Sequence, residues 1–134
     1  MSGASPSPSG VVILRSSHAV AATVDRLDAA LRSRGILVFA RIDFSQDAAR
    51  AGLEMRPAQL LIFGNPRAGT PLLRAAATVG LDLPLKAYVW EDASGEHWLG
   101  YNDPAYLVGR HGLDPSLAAN LSAVIPLLEA AARA

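Results

Sequence analysis

The stretch LKAYVWEDASGEHWLGYN, Leu85 to Asn102, constrains the fold more than any other. Two alternating runs flank Asp92-Ala93-Ser94-Gly95, and Gly95 suits the positive φ that a hairpin turn demands. A three-residue loop with a glycine bulge sets Trp90 opposite Trp98, Tyr88 opposite Gly100 and Lys86 opposite Asn102. Leu85, Ala87, Val89, Leu99 and Tyr101 then share the opposite face and read as core. A strand slipped by one residue exchanges the two faces, so the whole reading depends on this register.

The rest of the chain supplies partners for this hairpin. Val11 to Arg15, Ile36 to Asp43 and Gln59 to Phe63 read as further strands, and Pro84 introduces the one that begins at Leu85. Val20, Val24, Leu27 and Leu31 recur at helical spacing, with Ser17 as the expected cap and Gly35 as the stop. Ser45 is the expected cap of a short helix over Gln46 to Ala51. Thr70-Pro71, Asp103-Pro104 and Asp114-Pro115 each read as a cap followed by a first-turn proline. Pro126 falls inside the last helix and should kink it. In Ile36 to Asp43, simple alternation puts Phe39, Arg41 and Asp43 on the face of the tryptophans. The resulting order, β-α-β-(short α)-β-α-β-β-α-α, predicts an α+β fold. Its sheet is antiparallel or mixed, with the main helices on one face. Met1 to Gly10, rich in Ser, Pro and Gly, is expected to be a flexible tail before one domain at 11–134.

Composition excludes several classes. Lys+Arg and Asp+Glu number 12 each, so the basic excess of a phosphate-gripping protein is missing and no nucleic-acid partner is expected. Cysteine is absent, which removes disulfides and thiolate chemistry. No apolar run approaches the roughly 20 residues of a membrane span, and the N-terminus does not read as a signal peptide, so a cytoplasmic protein without membrane partners is expected. His18, His97 and His111 form no metal-type pair, and neither a metal nor another cofactor is expected.

The face carrying Lys86, Tyr88, Trp90, Trp98 and Asn102 holds both tryptophans and few charges, so it should not stand fully in water. It suits burial in a homodimer, or a small-molecule cleft with Lys86, Arg41 or Asp43 as polar handles. Gly64 to Pro71 is a turn-rich loop that either connects strand to helix or holds an anion with help from Arg67. Asp43, Glu54 and Arg56 make either an acid–base set or an ion pair that ties down the short helix. His111, at a helix end, is expected to meet unpaired carbonyls. No convincing Ser-His-Asp grouping stands out.

Three segments, LLIFGNPRAGTPL (Leu60–Leu72), DLPLKAYVWED (Asp82–Asp92) and YNDPAYL (Tyr101–Leu107), resemble the DUF302 family, small bacterial and archaeal proteins of unknown function. The likeness runs from Phe39 to Leu113. It implies a fold like that of the TATA-box-binding protein, β-α-β(4)-α, with a curved antiparallel sheet backed by helices, and homodimers. It imports no DNA binding and no catalytic residues. The family's polar positions correspond to Asp43, Glu54, Arg56, Asn65, Thr70, Lys86, Asp92, Asn102 and Asp103. Phe44 stands where the family usually has histidine, which favours a binding or structural role.

The expectation is a non-enzymatic homodimer that binds a small ligand at the aromatic sheet face through Asn65, Lys86, Tyr88, Trp90, Trp98 and Asn102. One alternative is an enzyme for a small anionic or carbonyl compound, with Glu54 or Asp43 as base and Lys86 or Arg56 holding the anion. Another is an assembly module whose face only dimerises.

Overall fold

Five strands, β1 (Val11–Ser16), β2 (Leu37–Asp43), β3 (Ala58–Gly64), β4 (Leu85–Glu91) and β5 (His97–Asn102), form one sheet in the order β1-β5-β4-β3-β2. Every pairing is antiparallel. The computed structural model describes residues 8–134, so most of the expected N-terminal tail lies outside the described residues. Gly10 is already engaged: its carbonyl accepts the Asp103 N–H at 2.8 Å, and its φ of 76° turns the chain beneath the Tyr106 ring.

The helix α1 (Val20–Ser33) joins β1 to β2, which are the two edges of the sheet, and so crosses one face of it. Its stripe of Val20, Val24, Leu27 and Leu31 is buried against Leu61, Phe63, Ala87, Val89 and Leu99. Each such side chain contributes about 1.5–3 kcal/mol by leaving water. The last helix, α6 (Ile125–Ala132), adds Leu128, Ala131 and Ala132 to this core. Its terminal carbonyls are held by α1 and the turn before it: Arg26 donates to Ala131 O at 3.1 Å and to Ala130 O at 2.9 Å, and His18 Nε2 lies 2.7 Å from Arg133 O. A second core, with Leu72, Val79, Leu107, Val108, Leu113 and Leu121, is built by α3 (Pro66–Ala75), a 3-10 turn (Ala77–Leu81), α4 (Pro104–Arg110) and α5 (Ala118–Ser122). The fold is α+β, as expected, and without the inserted helices it reads β-α-β(4)-α.

Several local expectations shift. α1 begins after Ala19 rather than Ser17; Ser16 Oγ takes the His18 N–H and meets Thr23 Oγ1 at 2.6 Å. The short helix α2 (Phe44–Arg50) is capped by Asp43, not Ser45: Asp43 Oδ1 accepts the Gln46 N–H at 2.9 Å and the Ser45 hydroxyl at 2.6 Å. α3 starts five residues before the expected Thr70-Pro71, on the equivalent pair Asn65-Pro66, with Asn65 Oδ1 accepting the Arg67 N–H at 3.0 Å. Pro71 therefore lies inside α3, within its first two turns. The final helix is broken rather than kinked. A 3-10 turn (Pro115–Leu117) leads into α5, and α6 restarts with Pro126 in its first turn, at 43° to the preceding segment.

The largest correction concerns β2. Val38 pairs with Phe63 but Ala40 pairs with Ile62, so Phe39 is an extra residue in a β-bulge. Beyond the bulge the faces exchange. Arg41 and Asp43 lie on the helical side with Gln59, and Arg41 Nη1 reaches Asp25 of α1 at 2.6 Å. Ala40 and Ile42 take the opposite face.

Candidate functional site

The hairpin register is as expected: Trp90 pairs with Trp98 and Tyr88 with Gly100. Pairing across the sheet extends this face through Ile13 and Arg15 on β1, Ala58, Leu60 and Ile62 on β3, and Ala40 and Ile42 on β2. Ala87, Val89 and Leu99, pointing the other way, are fully buried. Tyr88, Trp90, Trp98, Leu60, Ile62 and Ile13 are each half-buried, so the face opposite α1 is mainly apolar and only partly covered.

Its aromatic residues form a row. Tyr88 and Trp90 stack with ring centroids 5.4 Å apart and planes inclined by 18°. Phe44, at the start of α2, meets the Tyr88 ring edge-on at 5.9 Å and 65°. Two small residues make room for Trp90. A β-carbon at Gly100 would stand 3.1 Å from Trp90 Cζ3, and Ala58, opposite Trp90 on β3, is buried. Trp98 is held at its polar edge, where the indole N–H donates to Asp92 Oδ2 at 2.8 Å. Asp92 also accepts the Ser94 and Glu96 N–H groups, and these bonds, the Trp98 bond foremost, hold its carboxyl below the usual carboxylate range. Arg15 pairs with Glu96 beside the same turn.

The remaining candidates scatter. Lys86 Nζ donates to Pro84 O at 3.2 Å, and Lys86 and Asn102 both line a narrow crevice near Tyr101 and Leu128. Asn65, the cap of α3, lines a different cavity that includes none of Lys86, Tyr88, Trp90, Trp98 or Asn102. Arg67 is exposed beside it. Asp43 is occupied as a cap, and its hydrogen bonds, led by that from Ser45, hold its carboxyl below the usual range, away from that of a general base. Arg56 pairs with Glu91 at 3.1 Å, tying the segment after α2 to β4, while Glu54 lines a shallow surface depression with Leu53 and Met55. No group of three or more metal-ligating His, Asp or Glu side chains occurs among the described residues.

One polar cluster is not evident from the sequence. His111 Nε2 lies 2.5 Å from Asp82 Oδ2, and its Nδ1 lies 2.9 Å from Thr78 Oγ1. A carboxylate only accepts, so Nε2 donates to Asp82, and Nδ1 and the threonine hydroxyl share the second hydrogen bond. Arg110 Nη1 donates to both Asp82 oxygens at 3.0 Å. His111 thus meets a carboxylate and a hydroxyl rather than the expected helix-end carbonyls. The cluster bolts the end of α4 to the turn after α3. Its residues lie 28 to 33 positions apart, and no short motif announces them.

The model of the family described as "Domain of unknown function DUF302" matches residues 12–131. The chain belongs to the DUF302 family. A crystal structure of an uncharacterized conserved DUF302 protein from Bacillus stearothermophilus superposes with a TM-score of 0.75 at 25% identity, covering 93% of this chain and 97% of that one. Fluoride-specific ion channel FluC 1 of Brucella suis is 46% identical over 117 residues, 87% of this chain and 46% of that protein. FluC 1 of Brucella abortus is equally similar, with 43% of its length covered. The chain thus spans less than half the length of the curated relatives it matches. Phe44 packs its ring edge-on to Tyr88 at the margin of the aromatic row.

Proposed function

We propose that this DUF302 chain is a non-enzymatic binding module that works as a homodimer joined through the sheet face opposite α1. The carrying observation is the continuous, half-buried apolar surface of Ile13, Leu60, Ile62, Tyr88, Trp90 and Trp98. Aromatic residues of this kind are enriched at the centres of interfaces. A second copy suits the face because a two-fold interface must be self-complementary. Of its charged groups, Arg15 is paired with Glu96 and Lys86 Nζ donates to Pro84 O. Asp43, occupied as a helix cap, supports binding over acid–base catalysis.

The channel activity named for the Brucella relatives is assigned, in this reading, to the part of those proteins outside the match. Among the described residues no single helix is long and apolar enough to cross a membrane. The bent pair formed by Pro115–Ser122 and Ile125–Ala132 buries Leu121, Leu128, Ala131 and Ala132 in the two cores. A cytoplasmic location is part of the proposal.

Sedimentation velocity tests the dimer. The wild-type chain should sediment as a dimer at micromolar concentration, and Leu60→Glu, which places a charge at the middle of the face, should be monomeric with an unchanged far-UV spectrum. A wild-type monomer, or a dimer indifferent to Leu60→Glu, overturns the reading.

A further inference from the structure

A cavity of about 410 Å³ opens at the end of the sheet, away from the hairpin turn, where the two cores meet. Its floor includes Gly64 of β3 and Leu85 of β4, one wall is α3, and the other is the corner where α5 breaks before α6. We propose that this cavity binds one neutral, mainly apolar small molecule. It is a site separate from the dimerising face and does not depend on that reading.

Size is the first argument. Small-ligand cavities occupy about 300–1,000 Å³, and this one falls within that range. Charge is the second. No Asp, Glu, Lys, Arg or His lines it, so an ionic ligand would lose its hydration without a counter-charge. Two of its lining residues are exposed large apolar side chains, Phe39 at 53% and Leu73 at 43%, and a bound molecule would cover both.

The polar side chains are few: Asn65, Thr70 and Asn120 line the cavity, and Asn65 is engaged as the cap of α3. Asn120 Nδ2 donates to Ala68 O at 3.1 Å, which fixes the carboxamide and leaves its oxygen as an acceptor. The Thr70 hydroxyl supplies a donor. This is the pattern of a site that sorts neutral ligands by one hydroxyl, carbonyl or amine on an apolar body.

Gly69 gives an independent indication. It lies inside α3, where glycine is among the poorest helix formers, and its φ is not in the left-handed region. A β-carbon there would meet only Leu83 Cδ1, at an ordinary 3.8 Å. Neither backbone conformation nor close packing calls for glycine at this position. What its missing side chain leaves is cavity volume.

Titration with N-phenyl-1-naphthylamine, a neutral diarylamine of three aromatic rings whose fluorescence rises in apolar surroundings, tests the site. The wild-type chain should show saturable enhancement with one site per chain. Gly69→Leu, which fills the cavity, should abolish it, and Leu73→Asp, which charges the rim at an exposed position, should weaken it about tenfold or more, a loss of about 1.4 kcal/mol. Leu60→Glu, on the other face of the sheet, should bind as the wild type does. Non-saturable enhancement, or equal binding by the wild type and both cavity variants, overturns the proposal. So does a loss of binding in Leu60→Glu alone, which would place the probe on the sheet face. Because Leu73 is exposed, its variant keeps the test decisive if Gly69→Leu misfolds.

Discussion

Asp82 and His111 meet at 2.5 Å across the second core, and this contact joins the turn after α3 to the end of α4. The imidazole is the chief reason that the Asp82 carboxyl is held below its ordinary value, with Arg110 adding to the effect. A carboxylate with a lowered folded-state pKa stabilises the fold above its unfolded value of about 3.9, and that stability is lost as pH falls through the folded value. Asp82→Asn should therefore cost about 1–3 kcal/mol at pH 7. The deficit should shrink below about pH 4, as first the unfolded and then, at lower pH, the folded wild-type chain takes up a proton at this carboxyl. Urea denaturation of both proteins at pH 7 and pH 3 measures the two gaps, and equal gaps would remove the carboxylate from this role.

Gly100 gives a side chain little room. Its β-carbon would stand 3.1 Å from Trp90 Cζ3, closer than ordinary contact, and 3.7 Å from Val12 O. Gly100→Ala should displace the indole and cost about 1–3 kcal/mol, as overpacking does elsewhere. A lowered melting temperature and a shift of tryptophan emission would report it.

Asp43 should matter as a cap and not as an acid. Asp43→Ala should lower stability by about 0.5–2 kcal/mol, whereas Asp43→Asn, which still accepts the Gln46 N–H, should lose much less. Since α2 carries Phe44 against Tyr88, hydrogen exchange in residues 44–50 should accelerate in the alanine variant alone.

Gly69→Ala should stabilise the chain by about 0.5–1 kcal/mol, because it improves helix propensity and meets only ordinary contact with Leu83. Thermal unfolding checks this directly. A destabilised alanine variant would mean that the backbone of α3 needs glycine there for a reason other than space.

The hairpin was legible because its signal is local. Two alternating runs and a glycine at φ 85° leave one register that buries Val89 and Leu99. Simple alternation puts Arg41 on the wrong face for a physical reason. A single inserted residue, Phe39, reverses every side chain after it, and nothing in Val38-Phe39-Ala40 differs in type from regular strand. The start of α3 shows another limit. Asn65-Pro66 and Thr70-Pro71 are equivalent local signals, and the earlier one prevails in the fold that buries Leu72. The Asp82–His111 contact and the cavity at the sheet end were hidden because they assemble side chains from distant segments, which no spacing within one element records.

The sheet order has a consequence for how this chain assembles. β1 (Val11–Ser16) is hydrogen-bonded within the sheet only to β5 (His97–Asn102). Such distant closure makes for slow folding, because the long loop must be gathered before its contacts repay the lost entropy. On the ribosome, β1 waits for β5, the last of these five strands, to be synthesised. Through that interval its apolar residues stand as an open edge, and chaperone binding or mispairing in a crowded cell would begin there.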